Sequence, residues 1–370
     1  MIIGVDAGAL SETDVRHHTG VFRMTVELLT VLTKIDKKNS YQLYSYKPID
    51  RKILSQCGKS AKNIVLSPSP GYMSIRIPIE LSNRPVDVFL GLCQALPSGK
   101  AKKIGFIHDL GFLHHPENYE DQGRKLRKLT ENTIERAEKI IAVSENTKQD
   151  IVSEYQVNPK KITVVYEGAG AAFNSLGPEK KLDVPYFLYV GSSRKGKNIA
   201  MLLRVFRRFL SKTRQDFALV LAGPDFSEDN QDLRTIIRAL DLTDSVIQTG
   251  GITDRELASY YHGAQAFLTA SLWEGFCLPV AEAFHCGCPV IAARAGALPE
   301  IVGSAGILAD PYDENSFVSA MQKVIKPSVR RTLARNGLER ADLFSWDLFS
   351  RKILKEIETV SFLKEQKEKE

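Results

Sequence analysis

The feature that most constrains this chain is a repeated change of hydrophobic period. Short runs rich in β-branched and aromatic residues recur at Ile2–Val5, Val86–Leu90, Lys103–Ile107, Ile140–Val143, Ile162–Val165, Tyr186–Val190, Ala218–Leu221, Ala266–Leu268 and Pro289–Ala292. Longer stretches with apolar residues at helical spacing lie between several of them, as at Phe22–Leu32, Arg124–Glu138, Ile199–Leu210 and Ser316–Ile325. Continuous apolar strands are buried on both faces, and parallel strands need a crossover, usually a helix. The pattern therefore predicts parallel sheets covered by helices, an α/β class.

At roughly 100–200 residues per domain, 370 residues predict two such units. The break falls in Gly168–Pro185, rich in Gly, Ala and Pro and without a period. This gives a first domain over 1–172, a linker over 173–185 and a second domain over 186–345. From Trp346, the residues Phe349, Ile353, Ile357 and Val360 mark one apolar helix face, and the charged tail Lys364–Glu370 is expected to fray.

Hydrophobic residues at 43% and charged residues at 25% exclude a disordered or fibrous chain. Five cysteines are too few, and odd in number, for a disulfide framework, which fits a reducing compartment. No run approaches the roughly 18–20 apolar residues of a membrane span. Met1–Asp6 lacks a basic n-region and reads as a first strand rather than a signal peptide, so the expected location is cytoplasmic. The net charge of +6 is uneven: residues 1–175 carry 24 basic and 19 acidic side chains, the remainder 26 and 25. The excess includes Lys100, Lys102, Lys103 and the group Arg124, Lys125, Arg127, Lys128. It is either a solvated face or a surface for anionic lipid or an acidic acceptor. Nucleic acid is not an expected partner, since no aromatic residues interleave with these bases.

The richest stretch is Ser271–Phe284, directly after an apolar strand. Pro279 suits the first position of a helix. Leu278, at the expected cap, has no side-chain acceptor, so the first N–H groups point at water or an anion. Gly275 admits close backbone approach. Glu274 and Glu282 flank the turn, and carboxylates there suit sugar hydroxyls rather than phosphate. Glu282 also has an ordinary explanation as an acid in a first helical turn. A second cluster, Gly191-Ser-Ser-Arg194-Lys195-Gly-Lys197, follows the strand Tyr186–Val190 and places three cations at a strand-to-helix turn, where open parallel sheets bind ligands. It lacks the spacing of a P-loop. In the first half, His108 follows a strand and is either catalytic or structural; His17 and His18, before Thr19-Gly20, either line the same site or are solvated. Gly20 lets the next helix approach a ligand. No Asp-x-Asp and no zinc spacing is present, so no metal is assigned; His285-Cys286-Gly-Cys288 reads as packed thiols. Gly-x-Ser-x-Gly is also absent.

These residues resemble the retaining glycosyltransferases of family 4 (glycosyl transferases group 1). Glu274-Gly-Phe-Cys-Leu-Pro-Val-Ala-Glu282 is similar to that family's Glu-x7-Glu signature. Phe106-Ile-His108-Asp109, Ala142-Val-Ser144-Glu145, Thr249–Leu257, Thr19–Arg23 and Gly296–Gly303 are similar to other family segments. The resemblance implies a GT-B fold, two Rossmann-like doubly wound parallel-sheet domains facing each other across a cleft. It also implies that the helix in 346–370 packs back towards the first domain.

By position, it implies that Glu282 binds the donor ribose, Glu274 contacts the transferred sugar, and Lys197, with Arg194 and Gly191, meets the diphosphate. The backbone of Gly275, Phe276, Cys277 and Leu278 would bind sugar hydroxyls and phosphate. Gly251 and Ile252 would border the base, Gly20 would approach the donor, and His108 would lie beside the transferred sugar. Three residues depart from the family pattern: Cys277 and Phe22 each replace a glycine, and Ser192 replaces an arginine. The segment His108–Pro116 and the Tyr-Val-Gly…Lys-Asn pattern look most like the mannosyltransferase branch of polysaccharide assembly.

The implied partners are a nucleotide sugar, GDP-mannose first, and a glycan or lipid-linked saccharide acceptor. Peripheral association with anionic membrane would be through the first domain, and no cofactor is expected. The alternatives are a UDP-sugar donor, carrying glucosyl or N-acetylhexosaminyl, or a non-catalytic glycosyltransferase-like protein that binds a nucleotide sugar or glycan. A Rossmann oxidoreductase ranks low, because Gly4–Gly8 lacks the dinucleotide spacing.

Overall fold

The computed structural model describes residues 1–12, 20–119, 122–227 and 229–367, the last five without their side chains. His17, His18 and Thr19 lie outside the described residues, as do the side chains of the charged tail. Two compact units are present: residues 1–167 with 346–370, and residues 168–345.

The first unit holds one parallel sheet of seven strands. They are β1 (Ile2–Asp6), β2 (Ser40–Ser45), β3 (Ala61–Val65), β4 (Val88–Gly91), β5 (Lys102–Ile107), β6 (Lys139–Ala142) and β7 (Ile162–Val164), in the order β3-β2-β1-β4-β5-β6-β7. The helices are α1 (Gly20–Ile35), α2 (Arg51–Gln56), α3 (Ile77–Asn83), α4 (Gly111–His114), α5 (Gln122–Arg136) and α6 (Glu145–Tyr155). β4 and the last five residues of β5 are buried throughout, as their continuous apolar runs require. α1 buries Met24, Leu28, Leu29 and Leu32, spaced at three to four residues.

The second unit holds six parallel strands. They are β8 (Tyr186–Val190), β9 (Ala218–Ala222), β10 (Val246–Gly250), β11 (Phe267–Thr269), β12 (Val290–Ala293) and β13 (Ile307–Ala309), in the order β10-β9-β8-β11-β12-β13. Its helices are α7 (Ile199–Leu210), α8 (Gln231–Ala239), α9 (Asp254–Gly263), α10 (Leu278–His285), α11 (Leu298–Val302), α12 (Glu314–Val324) and α13 (Pro327–Ala341). The last helix, α14 (Trp346–Lys367), belongs to the first unit, with Phe349 against Phe106 at 6.3 Å between ring centroids.

The division differs from the sequence expectation at two places: residues 168–172, expected in the first domain, fall in the second unit. Residues 173–185 are packed structure of the second unit rather than a spacer. Phe173 is 3% exposed and meets Tyr261 edge-on, and Lys180 N donates to Ser259 O at 2.8 Å. One apolar side chain anchors a segment whose composition otherwise reads as loop.

The chain reverses its lateral direction between β8 and β11 in the second sheet, and between β1 and β4 in the first. Loops leaving the carboxyl ends of such strand pairs diverge and open a crevice, the usual ligand position in open α/β sheets.

Candidate active site

In the second unit, the two loops at the reversal are Gly191–Asn198, after β8, and Ala270–Cys277, after β11. They touch directly: Leu272 N donates to Gly196 O at 2.8 Å, and Lys197 Nζ lies 2.5 Å from Glu274 Oε1. Lys197 and Glu274 stand 77 residues apart in sequence, and the strand order alone brings them together. Neither is fully buried, with side chains 30% and 12% exposed, so both can meet a ligand.

The first loop is held from behind. Asp225, past β9, accepts hydrogen bonds from Ser193 N at 2.8 Å and Ser193 Oγ at 3.2 Å. Gly191 and Gly223 pack backbone to backbone: a Cβ on Gly223, whose φ is +151°, would fall 2.0 Å from Gly191 O. Arg194 and Lys195 are exposed on this turn. Asp225 was not singled out from sequence; its place after a central strand is the only signal it offers.

The second loop ends at α10. Cys277, rather than Leu278, is the capping residue, with φ +81° and ψ +76°. Pro279 is therefore the second helical residue, a position that also lacks an intrahelical N–H partner. No side chain caps this helix at the positive end of its dipole; Pro279 brings no N–H, and Val280 N donates to Cys277 O at 3.0 Å. Gly275, Phe276 and Leu278 are buried, with Phe276 edge-on to Phe344 at 5.4 Å. Burial pushes the Cys277 thiol well above its ordinary pKa, and the Glu274 charge adds to this. Glu274 is fixed through its backbone: Ala297 N donates to Glu274 O at 2.9 Å, and a Cβ on Gly296 would fall 2.6 Å from that oxygen.

Glu282 sits in the second turn of α10, not the first, and no acid occupies the first turn. The ordinary helix-dipole explanation therefore does not apply to it. It is 2% exposed and accepts a hydrogen bond from Tyr261 at 3.1 Å. Gly251 and Ile252 follow the edge strand β10, whose end is tied to β9 by Gly223 N donating to Gly250 O at 3.1 Å.

In the first unit, Gly20 opens α1 and is exposed. His108 follows β5. Its Nε2 is 2.8 Å from Leu92 O; a carbonyl only accepts, so this nitrogen carries a proton. Nδ1 faces Glu167 Oε1 at 3.9 Å. Burial lowers the His108 pKa, and burial raises Glu167 from 4.5 to about 8. Both are therefore neutral near pH 7. Glu167 gave no sequence signal beyond its place past β7.

The basic excess is smaller at the surface than in the sequence. Lys103 is 6% exposed and donates to Gly99 O and Ala101 O, and Lys102 lies 3.5 Å from Glu138. The buried Lys103 ammonium is thus held by these two carbonyls, with the Glu138 charge also acting on it. Arg124, Lys125, Arg127 and Lys128 are exposed on α5. Among the described residues, no helix is long and apolar enough to cross a membrane.

Comparison with known proteins agrees with this architecture. A family model described as Glycosyltransferase Family 4 matches residues 81–170, and one described as Glycosyl transferases group 1 matches residues 174–340. The O-antigen chain mannosyltransferase B of Escherichia coli is 28% identical over 68% of this chain and 69% of its own length. The MMP alpha-(1->4)-mannosyltransferase of Mycolicibacterium hassiacum is 31% identical over 56% of this chain and 50% of its own length. Among solved structures, a sucrose-phosphate synthase from Thermosynechococcus elongatus superposes with TM-score 0.78 at 19% identity, covering 97% of this chain and 98% of its own. WaaG, a glycosyltransferase involved in lipopolysaccharide biosynthesis, gives 0.77 at 16% identity, covering 96% and 99%. With two family models tiling most of residues 81–340 and two Rossmann-like parallel-sheet units of the GT-B class, the chain belongs to glycosyltransferase family 4 and is a hexosyltransferase.

Proposed function

We propose that this enzyme moves a mannosyl unit from GDP-mannose to a glycan or lipid-linked saccharide, with retention of anomeric configuration. The observation that carries the donor site is the 2.5 Å contact between Lys197 and Glu274 at the strand reversal, beside the uncapped start of α10. In support of the mannosyl unit, both relatives described above carry mannosyltransferase names.

Glycosyl transfer passes through an oxocarbenium-like state while negative charge builds on the leaving diphosphate. A preorganised cation and a helix N-terminus stabilise that charge most where water is excluded. On this reading Lys197 and Arg194 meet the diphosphate, with Gly191 allowing close approach. The backbone from Gly275 to Leu278 receives phosphate and sugar hydroxyls. Glu274 accepts from the transferred sugar, Glu282 from the ribose, and Gly251 and Ile252 border the base. His108 lies beside the transferred sugar, and Gly20 brings the α1 terminus to the donor. No dedicated base is assigned, because in front-face attack the leaving phosphate takes the acceptor proton. No resident metal or cofactor takes part on this reading; the nucleotide sugar is a substrate. The place of action is the cytoplasmic face of a membrane.

A thermal-shift and turnover panel with GDP-mannose, UDP-glucose and UDP-N-acetylglucosamine tests this. A donor present at a hundred times its Kd stabilises the fold by about 2.7 kcal/mol. GDP-mannose alone is expected to do so, and NMR of the product is expected to show the donor's anomeric configuration. Selective response to a UDP-sugar overturns the donor assignment, and an inverted product overturns the mechanism.

A further inference from the structure

Tyr261, on α9, is fully buried, and its hydroxyl reaches two acceptors. Glu282 Oε2 is 3.1 Å away and Pro279 O is 3.2 Å away. The hydroxyl has one proton. A carboxylate oxygen accepts it more strongly than an amide carbonyl, and hydrogen bonds to ionised acceptors are about twice as strong as neutral ones. The tyrosine ring has little freedom of its own. Phe173 stands edge-on to it at 6.0 Å and Phe267 at 5.9 Å. The donor thus comes from a rigid, dry wall, while Glu282 lies on the helix that starts at the phosphate-side loop.

We propose that Tyr261 is a positioning residue for the donor ribose: by holding Oε2 of Glu282 it fixes the plane of that carboxylate, and so the direction from which a ribose hydroxyl is accepted. The terminal torsion of a glutamate is broad, and a hydrogen bond to Oε2 narrows the lone-pair directions it presents. The inference rests on the reading of Glu282 as the ribose ligand. It extends that reading to a residue in a different helix, and to Phe173, which keeps the tyrosine in place.

The test compares wild type with Tyr261→Phe, using the nucleotide sugar that is turned over and its 2′-deoxy and 3′-deoxy ribose analogues. Wild type should lose on the order of tenfold in kcat/KM when the contacted hydroxyl is removed, as for one hydrogen bond to a charged group. Tyr261→Phe should lose a similar factor on the natural donor, in KM rather than kcat. It should lose little more on the deoxy analogue, because the contact it orients is already gone.

Equal further losses on the deoxy analogue, with the effects multiplying, would make Tyr261 mere packing and overturn the proposal. If wild type uses both analogues as well as the natural donor, the ribose role of Glu282 falls first, and the positioning role with it. Should Tyr261→Phe not fold, 3-fluorotyrosine at position 261 keeps the ring and strengthens the O–H donor. A shift in donor KM at constant kcat then supports the proposal, and no shift overturns it.

Discussion

Lys197 Nζ and Glu274 Oε1 are 2.5 Å apart, joining the turn after β8 to the loop after β11. Each is the other's counter-charge before any donor arrives. On the proposed reading, a diphosphate competes with Glu274 for the ammonium and leaves the carboxylate to sugar hydroxyls.

Replacing Lys197 by alanine removes the proposed charge stabiliser and leaves Glu274 without this partner. A loss of about 10²–10³ in kcat is expected, the scale for one preorganised electrostatic donor. Single-turnover kinetics with saturating donor measure it, and an unchanged rate would remove Lys197 from the mechanism.

Cys277 holds a left-handed φ of +81° that costs an ordinary residue roughly 1–2 kcal/mol. Cys277→Gly should relieve that strain while losing a small side chain, leaving the urea midpoint unchanged or raised. Cys277→Val adds β-branching at the same φ and should lower it. The opposite order of midpoints would show that thiol packing outweighs backbone strain.

Glu167 gives a pH prediction of uncommon sign. Its folded pKa, about 8, lies above its ordinary 4.5. Between these values the native state holds a proton that the unfolded chain has lost, so stability falls as pH rises from about 4.5 to about 8. Glu167→Gln should flatten this part of the profile. Urea unfolding at pH 5, 7 and 9 reads the difference, and parallel profiles for the two proteins would sink the assignment.

The exposed bases of α5 predict membrane binding that salt weakens. Anionic vesicles should retain the protein at low ionic strength and release it above physiological salt, as screening over about 8 Å predicts. Replacing Arg124, Lys125, Arg127 and Lys128 with glutamine should abolish retention. Retention unaffected by salt or by these changes would point to a different surface.

The parts of the fold legible in sequence are those where one physical signal dominates. β1, β4, β5, β8 and β9 are inner strands and read as continuous apolar runs. β2, with its Ser-Tyr-Gln-Leu-Tyr-Ser alternation, and the edge strands β3 and β10 are interrupted by polar residues; β13 is three residues between Gly306 and Asp310, whereas the equally short β7 and β11 are extended by Val165 and Ala266. The Glu274–Glu282 stretch was legible because its unusual residues are consecutive. Tyr261, Asp225 and Glu167 were not. Each acts on a residue distant in sequence, and nothing local distinguishes a tyrosine in Tyr-Tyr-His-Gly from an ordinary helix face.

The position of β10 at the rim of its sheet has a consequence for how such enzymes diversify. Gly251 and Ile252 follow that outermost strand, whereas Lys197 and Glu274 meet over β8 and β11. On the proposed reading, the base is therefore recognised at a margin open to remodelling and the leaving group at the centre. Substitutions at the margin should exchange one nucleotide for another while the machinery of bond cleavage stays intact, so that donor choice and chemistry evolve as separable modules.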